Sequence, residues 1–310
     1  MDSRFRGNDE YLGPLSRGRR LGCRVFRQSH MLIESSIAGM RARLRELGAN
    51  GARVALVPTM GALHEGHLAL VDAAARAADV VAVSIFVNPL QFGPNEDFAR
   101  YPRTIESDSA KLADRGATIV FTPTAGEMYG DGSPRTTVNP RSFATSFEGA
   151  VRPGHFAGVL TVVAKLFNIV QPNVAVFGRK DLQQFALIRA MVADLDFPIE
   201  ITGMETVRES DGLALSSRNR YLDVEARRHA PALRAALVAA KTAFENGTTD
   251  PAALEVLRKE VLAKDGAFDV DYLSLVNETD FVTPSVAASG DSIVAAARIG
   301  GTRLIDNIRL

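Results

Sequence analysis

From residue 54 onward the chain alternates short, nearly unbroken apolar runs with longer stretches of helical periodicity, and few folds can accommodate that pattern. The runs are at 54–57, 80–87 and 174–177, with Ser84 their one polar residue, and 118–121, which opens on Thr118, reads as a further strand. A strand that is apolar at every position must be covered on both faces, which happens inside a parallel sheet with helices above and below. Helical spacing predicts helices over 33–47, from the turn after the first run to 78, and over 108–115, 156–170 and 182–195. The alternation therefore predicts an α/β fold, a Rossmann-like doubly wound parallel sheet.

Beyond about residue 206 the texture changes. Residues 223–246 predict one long alanine-rich helix and 251–262 another, after which 270–276, 293–298 and 303–306 read as strands. Helices followed by strands indicate a smaller α+β C-terminal domain. At roughly 150 residues per domain, the length suits a Rossmann-like domain over 31–206 and a smaller domain over 207–310. Residues 1–30 differ again. Arg4, Arg6, Arg17, Arg19, Arg20, Arg24 and Arg27 face only Asp2, Asp9 and Glu10, with no sustained apolar period, so a disordered basic leader is expected there.

Composition narrows the function classes. Thirty-six basic against 36 acidic side chains leave no net charge, which excludes the broad positive face of a general nucleic-acid binder. Cys23 is the single cysteine, so no intramolecular disulfide or cysteine zinc cluster can form, and a reducing, cytoplasmic setting is expected. No window approaches the roughly 20 apolar residues of a membrane span.

In an open α/β sheet, ligands bind where the strands end, so polar residues just after the apolar runs are the first candidates. His64 and His67, two of five histidines, lie three apart in PTMGALHEGH (58–67). That spacing at a helix start puts both rings on one side, beside free backbone N–H groups suited to a phosphate. The same residues also admit a metal pair, though the spacing is not that of H-E-x-x-H; a P-loop, though His67 stands where lysine belongs; or a plain helix cap. Lys180, in FGRKDLQQ (177–184), again follows a strand, with Asp181 as a candidate N-cap. Ser216, Ser217 and Arg218 add hydroxyls and a guanidinium. Gln91, in FVNPLQFG (86–93), and Gln184 offer uncharged amides for a small ligand carrying hydroxyl and carboxylate groups.

Taken in order, these segments with YPRT (101–104), EGAVRPGHFAGVLTVV (148–163) and TVRESDGLALSSRNRYL (206–222) resemble the pantothenate synthetase (pantoate–β-alanine ligase) family, within the nucleotidyltransferases that share a histidine signature. The resemblance implies an ATP-dependent, Mg²⁺-requiring condensation of (R)-pantoate with β-alanine through a pantoyl adenylate, releasing AMP and pyrophosphate. It also implies a cytoplasmic homodimer serving pantothenate and coenzyme A biosynthesis. ATP contacts carry over to Met60, Gly61, Ala62, Leu63, His64, Glu65, Gly66 and His67, to Gly178, Arg179, Lys180 and Asp181, and to Val207, Leu215, Ser216, Ser217 and Arg218. Pantoate and β-alanine contacts carry over to Gln91 and Gln184, and a Mg²⁺ contact to Asp108. His64, His67, Lys180 and Arg218 become the expected catalytic groups. Leu215 departs from the family's usual methionine, a swap that nearly conserves apolar volume.

Two rivals fit parts of the pattern. One is an adenylyltransferase that leaves AMP on its product. The other is a nucleotide-binding regulatory module without turnover, which would show no pantoate-dependent pyrophosphate release.

Overall fold

The apolar runs pair with one another as their pattern requires. A computed structural model describes residues 31–94 and 96–310; the expected leader at 1–30, with Cys23, lies outside the described residues. Strands β1 (Leu32–Glu34), β2 (Val54–Thr59), β3 (Val80–Ile85), β4 (Ile119–Phe121), β5 (Val174–Gly178) and β6 (Glu200–Met204) form one sheet in the order β1-β4-β3-β2-β5-β6. Every neighbouring pair is parallel. The intervening helices are α1 (Ile37–Gly48), α2 (Glu65–Ala77), α3 (Ile105–Asp114), α4 (Ala125–Tyr129), α5 (Glu148–Val151), α6 (His155–Val170) and α7 (Leu182–Asp194).

Strand β2 shows why its run is unbroken. Val54 and Leu56 point into a core with Met40 of α1, Leu160 and Phe167 of α6 and Ile188 of α7. Ala55 and Val57 point the other way, against Val71 and Ala74 of α2 and Leu112 of α3. Leu56 is fully buried, so truncation to alanine there would cost about 2–5 kcal/mol. From β2 the order runs outward through β3 and β4 on one side and through β5 and β6 on the other. The carboxyl ends of β2 and β5 thus flank the topological switch point, where α/β folds bind ligands.

The remainder comprises α8 (Val224–His229), α9 (Ala232–Glu245) and α10 (Pro251–Asp265), then an antiparallel sheet of β7 (Asp269–Val276), β8 (Ser292–Ile299) and β9 (Thr302–Arg309) in that order. Leu275 and Ile293 pack one face of this sheet on Leu237 and Leu254 of the helices. Val276 and Val294, on the other face, join the core of the larger sheet. Glu148 ties α5 to the small sheet by accepting from Arg303 (2.8 and 2.5 Å) and from the Tyr272 hydroxyl (2.7 Å).

The expected class is correct, two local expectations need correction, and one strand was not expected. The helix expected over 33–47 begins only at Ile37, because Leu32–Glu34 forms edge strand β1 against β4. The single helix expected over 223–246 breaks at Ala230–Pro231, since proline has no N–H to continue the helical ladder. Strand β6 had no apolar run to reveal it, because it is an edge strand with Glu200 exposed. Among the described residues no helix is long and apolar enough to cross a membrane.

Candidate active site

After β2 the chain turns through Met60, Gly61 (φ 85°) and Ala62 (φ 53°) before α2 begins. A Cβ at position 61 would lie 3.0 Å from Ile85 Cγ2 and 3.2 Å from Asp108 Oδ2, so glycine is required there for space as well as for φ. Left-handed alanine costs about 1–2 kcal/mol, and Asp108 of α3 offsets it. Its Oδ2 accepts the Ala62 N–H (2.9 Å) and the Thr104 hydroxyl (3.0 Å), while its Oδ1 accepts the Leu63 N–H (2.9 Å). Lys111 completes the grip by donating to the Leu63 carbonyl (2.7 Å). Asp108, the residue expected to contact Mg²⁺, is fully buried, and both its oxygens accept hydrogen bonds that hold the loop. Among the described residues no group of three or more His, Cys, Asp and Glu side chains could hold a metal ion.

The two histidines form a capping box at the start of α2. His64 Nδ1 accepts the Gly66 N–H (3.2 Å), and His67 Nδ1 accepts the His64 N–H (3.4 Å). An Nδ1 that accepts carries no proton, so each neutral ring bears its proton on Nε2 and offers it as a donor. Burial and then Lys180 and Lys111 push His64 down to about 4; burial, His64 and the same two lysines push His67 to about 3. The cap reading and the phosphate reading are therefore compatible, since capping with one nitrogen leaves the other free.

Met60, His67, Gln91, Asp181, Gln184 and Arg218 all line one cavity of about 200 Å³, walled by Phe86, Val159, Val162, Leu166 and Phe177. Gln91 ends a 3₁₀ turn that sits directly on α6. The close approach is possible because residue 158 is glycine: a Cβ there would lie 2.1 Å from the Leu90 carbonyl oxygen. The Gln91 amide donates to Met60 Sδ (3.1 Å) and accepts from Asn88 (3.2 Å), whose own carbonyl accepts from the Tyr129 hydroxyl (2.8 Å). The backbone carbonyl of Gln91 is held by Arg152 (3.2 Å) and by His155 Nδ1 (2.8 Å). Because Arg152 also donates to His155 Nε2 (3.0 Å), the proton of the neutral His155 ring lies on Nδ1. Burial and Arg152 push that ring down to about 4.

Lys180 and Ser216 line an adjoining smaller cavity that shares Asp181, Arg152 and Arg218 with the first. The Arg218 guanidinium lies 3.4 Å from Asp97. Ser216 Oγ caps the turn that begins at Ser217 by accepting the Arg218 N–H (3.2 Å). Leu215 lies over the start of α2, its Cβ 3.9 Å from where a Cβ on Gly66 would stand, and its N–H bonds to the Val207 carbonyl (3.0 Å). Two side chains of the sequence-predicted set are engaged elsewhere. Glu65 is exposed and pairs with Arg115 (2.7 Å), and Arg179 pairs with Glu278 (2.5 Å) and Glu205 (3.2 Å).

The model of the Pantoate-beta-alanine ligase family matches residues 32–309. The chain belongs to that family. It is 54% identical over 286 residues to the pantothenate synthetase of Mycolicibacterium smegmatis, covering 92% of this chain and 89% of that protein. Among solved structures, the pantothenate synthetase of Thermus thermophilus is 46% identical with a TM-score of 0.86, over 90% of this chain and 99% of that one. The pantoate-beta-alanine ligase of Francisella tularensis, solved with Beta-gamma ATP and β-alanine, is 34% identical with a TM-score of 0.74, over 90% and 98%. Pantoate-beta-alanine ligases are ATP-dependent, and the chain is such a ligase along the whole matched length.

Asn88, Arg152 and His155 lie outside the sequence-predicted set although they line the larger cavity. Asn88 had a usable signal, an asparagine before proline where a strand ends. Arg152 and His155 follow a long glycine- and proline-rich loop rather than a strand end, so position alone gave no reason to choose them.

Proposed function

We propose that the chain makes its amide in two steps at the switch point, by way of a pantoyl adenylate. Carboxylate and amine do not combine at neutral pH because the carboxylate lacks a leaving group, so it must first be activated. A pantoate carboxylate oxygen attacks the α-phosphorus of ATP, and the bond to pyrophosphate breaks. The β-alanine nitrogen then attacks the acyl carbon, AMP departs with the electron pair of the C–O bond, and the amine loses a proton.

The observation that carries this reading is the lining of the larger cavity. Two amides, Gln91 and Gln184, face an apolar wall, which suits a small hydroxy acid with a branched carbon skeleton, and His67 and Arg218 border the same space. Neutral His64 and His67 offer Nε2–H donors, and Lys180 and Arg218 supply positive charge, so the site stabilises phosphate charge mainly by preorganised position. ATP lies along the start of α2 and residues 178–181, with Leu215, Ser216, Ser217 and Arg218 reaching it from the segment around Val207. Residues 207–310 act as the lid that shields the adenylate from water. Among the described residues no group of three or more His, Cys, Asp and Glu side chains stands ready for the Mg²⁺ that the resemblance implies, and both oxygens of Asp108 hold the loop, so no step is assigned to the ion. A cytoplasmic homodimer completes the reading, on the strength of the family resemblance.

Pantoate-dependent ATP–pyrophosphate exchange without β-alanine tests the proposal. Label should pass from pyrophosphate into ATP only when pantoate is present. Exchange that needs β-alanine would favour a concerted route, and an adenylylated final product would favour an adenylyltransferase.

A further inference from the structure

Lys180 stands at the end of β5 in a turn with little local support. Asp181, the N-cap residue of α7, makes no side-chain capping bond, and the backbone at Arg179 is anchored by its N–H to the Met204 carbonyl (2.8 Å). The carbonyls of Arg179 and Lys180 depend on a residue more than a hundred positions away. Asn307, on β9, donates from Nδ2 to Arg179 O (2.8 Å) and to Lys180 O (2.9 Å), and among the described residues neither carbonyl has another hydrogen-bond partner. Both protons of one amide are thereby spent on two successive carbonyls. That fixes the orientation of the peptide from which the lysine side chain leaves.

Asn307 is itself held firmly. Its carbonyl accepts from Arg234 (3.2 Å), and its N–H donates to Asp306 Oδ1 (2.8 Å). Asp306 is 4% exposed and receives a two-pronged bond from Arg208 (2.8 and 2.8 Å). Arg208 in turn donates to the Gly212 carbonyl (3.0 Å) and sits in the ribbon, bridged from Arg208 to Ala214, that leads directly into Leu215 and Ser216. One dipeptide on β9 therefore touches both strips of backbone that border the smaller cavity.

We infer that Asn307 is a positioning residue for Lys180, and that with Asp306 it sets Lys180 in register with the Ser216–Arg218 segment. Asn307 acts on the reaction through the lysine's backbone. The inference rests on the proposed role of Lys180 in adenylate formation. Its chemistry is specific: two carbonyls need two donors, which an amide supplies and a carboxylate of the same shape does not.

A double-mutant cycle tests it, read by pantoate-dependent ATP–pyrophosphate exchange with Asn307→Ala, Lys180→Ala and the pair, after thermal melting has shown each variant folded. A misplacement of about 1 Å at a reacting group can cost about 10²-fold, so Asn307→Ala should lower kcat for exchange about tenfold or more while KM for ATP moves little. In the Lys180→Ala background the same change should have almost no further effect, because residues acting in series are not additive. Asn307→Asp should behave like Asn307→Ala, and Asn307→Ser, which keeps one donor, should fall between; the serine variant carries the cycle if the alanine variant does not fold. Unchanged exchange in Asn307→Ala, or an equal loss in both backgrounds, overturns the inference and leaves the role of Lys180 standing. Full exchange in Lys180→Ala overturns that role, and the inference falls with it.

Discussion

At the scale of single residues, the buried imidazoles tie function to pH. His155 is held at about 4, below the value near 6.5 that it has when unfolded. As pH falls the unfolded chain therefore takes up the proton first. The stability this neutral ring contributes is complete above about pH 6.5 and is lost as pH drops toward 4, at about 1.4 kcal/mol per pH unit within that window. Urea unfolding at pH 7, 6 and 5 should show a falling free energy whose slope is smaller in His155→Gln, and identical slopes would refute the assignment. Asp108 supports a second prediction. Its two oxygens hold the left-handed turn at Ala62 and the start of α2, so Asp108→Asn, which puts an N–H against a backbone N–H, should lower both the melting temperature and the exchange rate. Its response to Mg²⁺ concentration should match wild type; a selective rise in the Mg²⁺ requirement would favour the metal role. His64 and His67 were legible because they follow a strand end. The role of Asp108 was not, because its partners are backbone amides 45 and 46 positions away in sequence.

Elements were legible wherever burial is two-sided or periodic. Strands β2, β3 and β5 and helices α6 and α7 declare themselves because every turn or alternate residue meets a core. Edge strands β1 and β6 do not, since one side faces solvent or a single neighbour and their composition is mixed. Helix α10 holds a feature that sequence patterning treats as ordinary surface charge. Arg258 is fully buried, with one hydrogen bond, to the Leu273 carbonyl (3.1 Å), and no partner for Nε or Nη1. Burial pushes it down to about 10 against the opposing charge of Glu255, so it stays charged at neutral pH and bears the desolvation of a cation with no direct ion pair among the described residues. Replacing it with methionine, which fills similar space among Leu254, Leu262 and Leu273, should stabilise the fold by about 1–4 kcal/mol. Thermal melting checks this, and a fall in melting temperature would mean that the single carbonyl contact outweighs the buried charge.

At the scale of the whole molecule, the site is assembled from sequence-distant segments whose relation is set by the docking of the small sheet on the large one. Class and order of elements were legible because local periodicity encodes them. The docking was not, because beside the apolar contacts of Val276 and Val294 it depends on a few long-range polar contacts that no period reveals. Chief among them is Glu148, which is 12% exposed in its side chain and bonded to both prongs of Arg303 and to Tyr272, while Arg303 also bonds Asp271. Partner loss in so enclosed a pair costs more than a surface ion pair would. If residues 207–310 exclude water from the adenylate, loosening this contact should affect the fate of the intermediate more than its formation. Glu148→Gln should therefore keep most pantoate-dependent exchange yet release more than one AMP per pantothenate formed, because escaped adenylate hydrolyses. Equal AMP and pantothenate in a variant whose melting temperature has clearly dropped would show that shielding does not depend on this contact.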